Sequence, residues 1–248
     1  MPTTLLRHRA LSALLLLPLT AACGGDAGPD VDTPKGPGSL QVHIYGESFI
    51  EEGIPADEFS DGWSVSFERF EVTLNSLTIM GDTTEVGQSF DLSQASEGQG
   101  QQVTTLELDQ GAFSGLDYQL GTLEVVGQAE KDGVTKTFAW TFELPTDYES
   151  CDSPFEIYPG ETAAVELTIH GDHLFFDSLA TGAEAPSLIF DHLAGADAND
   201  DGDITRAELE ATGVGALDVG NYAIDDLWNW LDAQSMQVGH VNGEAHCH

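Results

Sequence analysis

The chain has 248 residues, with 43 acidic side chains against 7 basic ones and a formal charge of −36. Such acidity excludes nucleic acid and anionic lipid as electrostatic partners and favours cations. With 41% apolar and 8% aromatic residues the chain can build a core of one or two domains, which excludes wholesale disorder.

Arg7 and Arg9 precede an apolar run, Leu11 to Leu19, too short to span a bilayer but suited to a signal peptide. The run ends in Leu19-Thr20-Ala21-Ala22-Cys23. Small residues before a cysteine resemble the lipobox of bacterial lipoproteins, although Thr20 stands where Leu is commoner. The resemblance implies removal of residues 1–22, lipidation of Cys23 and a membrane held through that lipid. Gly24 and Gly25, with no Asp beside the cysteine, resemble the sorting pattern for the outer membrane or cell surface. Residues 23–38 are rich in Gly, Pro and Asp and read as a flexible tether. Beyond Ala22 the chain keeps all 43 acids but only five bases, and no other segment is long enough to cross a membrane.

Residues 39–178 read as a β domain. Leu40, Val42 and Ile44 alternate with polar residues, as do Trp63, Val65 and Phe67, then Phe70, Val72 and Leu74, then Leu77 and Ile79. Gly81-Asp82 and residues 91–100 read as turns or loops. Val103 to Leu108, Tyr118 to Ala129, Thr135 to Leu144 and Ala163 to Ile169 are further strands, with a hairpin at 130–133. Seven to nine strands with turn signals between them predict a mainly β fold with a small α part, an antiparallel sandwich. No glycine-rich phosphate loop, nucleophile elbow or HExxH is present.

Residues 179–248 carry the strongest motif. Residues 197–208 read D-A-N-D-D-G-D-I-T-R-A-E. This resembles the EF-hand calcium loop. The resemblance assigns side-chain oxygens to Asp197, Asn199 and Asp201, the sharp turn to Gly202, a backbone carbonyl to Asp203, a water-mediated contact to Thr205 and a bidentate clamp to Glu208. Ca2+ is a hard ion that takes six to eight oxygens at about 2.3–2.6 Å, and alternating ligands supply them around one point. Pro186 to Ala196 reads as the entering helix, with Ile189 and Leu193 inward, and Thr205 to Ala211 as a short exiting helix. No second such loop exists in the sequence, so Ile204, eighth in the loop, needs a neighbour in the β body, another loop or a second chain. Ile224, Leu227, Trp228 and Leu231 recur at helical spacing, which predicts an amphipathic helix over 223–236 that packs on the body or the calcium unit, the alternative being a partner-binding helix.

If Cys23 is lipidated, Cys151 and Cys247 remain and are expected to pair in an oxidising compartment. Six histidines lie between 170 and 248. His170, Asp172 and His173 sit in H-G-D-H, while His240, His246 and His248 flank Cys247. Such clusters bind Zn2+ or Cu2+, and bridging Cys151 to Cys247 draws the tail towards the body. A strand would put His170 and His173 on opposite faces, so a shared site needs a turn at Gly171. His192 reads as an edge of packing. T-I-H-G-D-H-L-F-F-D (168–177), the single loop and the ending G-E-A-H-C-H resemble uncharacterised bacterial surface lipoproteins, which implies a location and no reaction. The expected function is a calcium-binding envelope lipoprotein, noncatalytic, in which the ion is a structural clip. The alternative is a Zn2+- or Cu2+-binding or metal-dependent protein built on the histidines.

Overall fold

A computed structural model describes residues 36–180, 186–243, 245 and 247. The signal segment 1–22, Cys23, the tether up to residue 35, His246 and His248 lie outside the described residues. The elements in chain order are β1 (Pro37–Tyr45), α1 (Glu47–Glu51), β2 (Ser64–Ile79), β3 (Asp82–Asp91), β4 (Gln101–Asp109), β5 (Gly111–Phe113), β6 (Asp117–Lys131), β7 (Val134–Tyr148), β8 (Phe155–Ile157) and β9 (Thr162–Ile169). A 3-10 turn (Asp172–Phe175), α2 (Asp191–Ala194), β10 (Asp203–Ile204), α3 (Arg206–Ala211), α4 (Leu227–Ser235) and β11 (Gly239–Val241) follow. The fold is mainly β with a small α part. One sheet has the order β10-β7-β6-β2-β3, the other β11-β9-β1-β4, and β5 pairs with β8. Both large sheets feed one hydrophobic core.

Alternation along β1 buries Leu40, Val42 and Ile44 completely. In β2 the apolar parity changes from 65 to 70 and from 74 to 77. The chain absorbs these changes as irregularities at Phe67/Arg69, Val72/Leu74 and Leu74/Ser76 within one 16-residue strand. Its hairpin to β3 turns on Met80 and Gly81, both at positive φ (52° and 87°). The β6–β7 hairpin turns likewise on Asp132 and Gly133 (53° and 81°). Such turns match the twist of the flanking strands. Most pairings are antiparallel as expected, but β1 runs parallel to β9 and β10 runs parallel to β7.

Residues beyond 178 do not stand apart from this body. β10 extends the five-stranded sheet, β11 extends the four-stranded one, and residues 35–248 form one compact unit. The entering helix expected over 186–196 is one turn, Asp191–Ala194. The chain before it is extended, because Leu188 bridges to both Phe59 and Phe176. Extended geometry turns Leu188 and Phe190 inward and leaves Ile189 half-buried. Asp61 Oδ2 accepts the N–H groups of Phe190 and Asp191 at 2.6 and 2.7 Å, and Asp191 in turn accepts from Trp63 Nε1 and Lys131 Nζ. These contacts bolt the segment to the five-stranded sheet.

The C-terminal helix starts at Leu227 instead of residue 223, where Asp226 caps it by accepting the Asn229 N–H at 2.9 Å. Trp228, Trp230, Leu231 and Ala233 are all buried, so the helix is covered on more than one face. Arg206 lies over the Trp228 ring, 4.5 Å from its centroid. The expected disulfide joins Cys151 to Cys247 across 96 residues. Among the described residues no helix is long and apolar enough to cross a membrane.

Candidate metal centres

The acidic loop lies between α2 and α3 and is organised by its own side chains. Asp197 accepts the N–H groups of Asp201 and Gly202. Asn199 Oδ1 accepts from Asp201 N–H, and Asp201 Oδ1 accepts from Asp203 N–H, both at 2.9 Å. These bonds wind residues 197–203 into a tight coil, and Gly202 takes φ +90°, a region that favours glycine. Glu208 reaches back across the loop. Its Oε1 accepts from Ala198 N–H at 3.3 Å, and its Oε2 accepts from the Thr205 N–H and hydroxyl at 3.0 and 2.7 Å. Thr205 is the N-cap of α3 and forms a capping box with Glu208.

Ile204 has its neighbour in the β body. It is fully buried, pairs with Phe138 in a two-residue parallel ladder, and its carbonyl accepts from Trp140 Nε1 at 3.0 Å. Asp197, Asp200, Asp201, Asp203 and Glu208 crowd this loop. Lys136 of β7 answers them with one ammonium, 2.5 Å from Asp197 Oδ2. That hydrogen bond holds the Asp197 carboxyl below its usual range. The Thr205 N–H and hydroxyl lower the Glu208 carboxyl in the same way.

The second centre lies at the other end of the molecule's chemistry, among imidazoles. His170 follows β9 directly, with its N–H bonded to the Val238 carbonyl at 2.8 Å. The chain then turns at Gly171, where a Cβ would come within 2.6 Å of Ile50 Cγ1. The 3-10 turn that follows carries Asp172 and returns His173 to the same side as His170, their rings 4.9 Å apart. His240 of β11 sits opposite Thr168 of β9, with its ring 4.4 Å from His170 and 5.1 Å from His173. One ligand atom from each of His170, Asp172 and His173 falls within 4.8 Å of the others.

Two tyrosines fix β11. Tyr118 and Tyr148 stack at 4.7 Å and donate to the carbonyls of His240 and Met236. Gly239 lies against them, where a Cβ would meet Tyr118 Oη at 2.4 Å. Burial pushes both phenols well up, so they remain donors.

The structure thus gathers His170, Asp172, His173 and His240 from the expected histidine set. Cys247 is spent in the disulfide and is no thiolate ligand. Glu47, which no sequence pattern marks, joins the group: its Oε2 is 3.2 Å from His170 Nδ1. It stands at φ +52°, a costly conformation for a residue with a side chain. His192 lies elsewhere, in α2. Both its ring nitrogens are buried without a hydrogen-bond partner among the described residues, and burial pushes its pKa down to about 4.

No protein-family model matches this chain, and no curated protein does. Among solved structures it is similar to a "putative cell adhesion protein" from Bacteroides eggerthii DSM 20697, at 11% identity and a TM-score of 0.19. The match covers 55% of this chain and 46% of that one, so the chain spans less than half of that protein's length.

Proposed function

We propose that this protein is a calcium-binding envelope lipoprotein in which residues 197–208 hold one Ca2+ as a structural clip. The carrying observation is the Glu208 carboxylate, which spans from Ala198 to Thr205 and so closes the loop on itself with both oxygens turned to it. Asp197, Asn199 and Asp201 present further oxygens from alternate positions, and the Asp203 carbonyl and Thr205 complete the expected set. An oxygen-only donor set suits a hard cation. The clip reading follows from the ladder between Ile204 and Phe138, which ties the loop to β7 instead of to a second, movable loop. Bound Ca2+ would neutralise carboxylates that otherwise repel, and would hold residues 186–212 to the sheet. Lipidation at Cys23 and an outer-membrane or surface location are part of the proposal on the strength of the lipobox resemblance.

The test is a calorimetric Ca2+ titration of the metal-stripped full chain, with Glu208→Gln alongside. One site is expected, at about 10⁻⁴–10⁻³ M or somewhat tighter, and lost in the variant. Absence of heat and of any rise in melting temperature at several millimolar calcium would sink the reading. Submicromolar binding with a large conformational change would replace the clip by a sensor.

A further inference from the structure

We propose that His170, His173 and His240, with Asp172, form a second metal site for a divalent transition ion of the Zn2+ and Cu2+ class. The argument starts from protons. His173 Nδ1 lies 2.7 Å from the Gln237 carbonyl, and His170 Nε2 lies 3.3 Å from the Gly243 carbonyl. A carbonyl oxygen only accepts, so the nitrogen facing it carries the hydrogen. These contacts orient the rings and make His173 Nε2 and His170 Nδ1 the nitrogens that would ligate an ion. Metal-binding histidines are oriented in this way, with the remote N–H held by a carbonyl or carboxylate.

Among the described residues, His170 Nδ1 faces two carboxylates. Glu47 Oε2 is 3.2 Å away and Asp172 Oδ1 is 4.0 Å away. Asp172 Oδ1 is buried and has no hydrogen-bond partner among the described residues. Two carboxylates meeting one imidazole in a largely enclosed space call for a positive charge among them. A metal ion held by His170 and Asp172 supplies that charge, with Glu47 beside it as an outer carboxylate. Imidazole nitrogens in the majority, with one carboxylate, select borderline ions over Ca2+.

The surroundings are built for the purpose. The Gly243 carbonyl that orients His170 is held because the Gly243 N–H donates to the buried Thr168 hydroxyl at 2.8 Å. His240 is fixed by strand pairing and by the Tyr118 hydroxyl on its carbonyl. Tetrahedral ligands at about 2.0–2.1 Å stand about 3.4 Å apart, so the 4.8 Å grouping must tighten around an ion. His173 is half-buried on the 3-10 turn, so the adjustment would fall there before it fell on the strand-held His170 and His240. His173 and His240 also line a 340 Å³ cleft, through which an ion could reach the group. His170, Asp172 and His173 are three of the ligands, and His240, with its ring 4.4 Å from that of His170, would take the fourth position.

The experiment uses the full chain, stripped of metal, titrated separately with Zn2+ and Cu2+ in competition with a chromophoric chelator. One equivalent is expected to bind. His173→Ala and His240→Gln are each expected to weaken it by more than the roughly 10–100-fold that loss of an outer-shell partner costs, and a Cu2+-loaded sample should show nitrogen coupling in its paramagnetic resonance spectrum. His246→Ala with His248→Ala should leave binding intact. Near-ultraviolet circular dichroism of each variant checks that the fold persists. Binding that survives His173→Ala and His240→Gln, or that vanishes with the two tail histidines alone, overturns the proposal. So does absence of binding together with a nitrogen-15 spectrum in which His170 carries protons on both ring nitrogens, which would make the group an imidazolium–carboxylate pair. Glu208→Gln should leave this site unchanged, so the outcome is independent of the calcium reading.

Discussion

The ammonium of Lys136 lies 2.5 Å from Asp197 Oδ2, although the two residues are 61 apart in the chain. Lysine therefore supplies the charge at the first loop position that a cation would otherwise supply. It competes with Ca2+ for one carboxylate oxygen and adds a repelling charge. Lys136→Met is expected to tighten calcium binding about tenfold, or 1.4 kcal/mol. The same change should lower the melting temperature without calcium, because a carboxylate with a side chain 0% exposed loses its partner. Calorimetry and melting curves with and without calcium read the two effects, which have opposite signs.

Ile204→Ala tests the link between loop and sheet. The side chain is fully buried, and removing it from a packed site costs about 2–5 kcal/mol. Stability to urea should fall by that amount with or without calcium, and calcium affinity should fall as the ladder to Phe138 loosens. Glu208→Gln, by contrast, should lose the calcium-dependent part of stability and only the smaller calcium-free part that the capping box with Thr205 supplies.

His192 sets an acid limit. Desolvation takes its pKa from 6.5 in the unfolded chain to about 4 in the fold. Between these values the unfolded chain holds a proton that the fold refuses, so stability declines as pH falls from about 6.5 to 4 and this contribution levels off below. The loss is on the order of 3 kcal/mol. Denaturant titrations across this range should show a shallower decline for His192→Leu than for the parent protein. Equal slopes would remove His192 from the account.

Cys151–Cys247 closes a loop spanning 96 residues. In the chain-entropy model such a bridge stabilises by about 4–5 kcal/mol. Reduction, or Cys151→Ser with Cys247→Ser, is expected to lower the urea midpoint accordingly. Cys247 lines the same cleft as His173 and His240, so the variant should also weaken Zn2+ and Cu2+ binding.

Strands with one buried face were legible, because Leu40, Val42 and Ile44 or Phe70, Val72 and Leu74 repeat at period two. β3 was not: of D-T-T-E-V-G-Q-S-F-D only Phe90 is buried, since an edge strand has little apolar surface to display. The entering helix was overread. Period alone does not separate Ile189 and Leu193 on a helix from Leu188 and Phe190 on an extended segment, and long-range bridges to Phe59 and Phe176 decide it. The loop 197–208 was legible because its oxygens come from one contiguous stretch. The histidine group was half legible: H-G-D-H is local, whereas Glu47 stands 123 residues before His170 and only the parallel pairing of β1 with β9 brings their ends together.

That parallel pairing also orders events in time. The five-stranded sheet is built largely from the β2–β3 and β6–β7 hairpins, which close over a few residues. The four-stranded sheet must instead join Ser39 to Thr162 and Thr168 to His240, at the cost of long loop closures. Hairpin contacts are expected in the folding transition state and β1–β9–β11 contacts after it. Val125→Ala should then slow folding, while Val165→Ala should mainly speed unfolding, as stopped-flow chevrons would read. His170 and His240 meet only in the later step, so an ion held between them would act as a brake on unfolding and leave the folding rate alone.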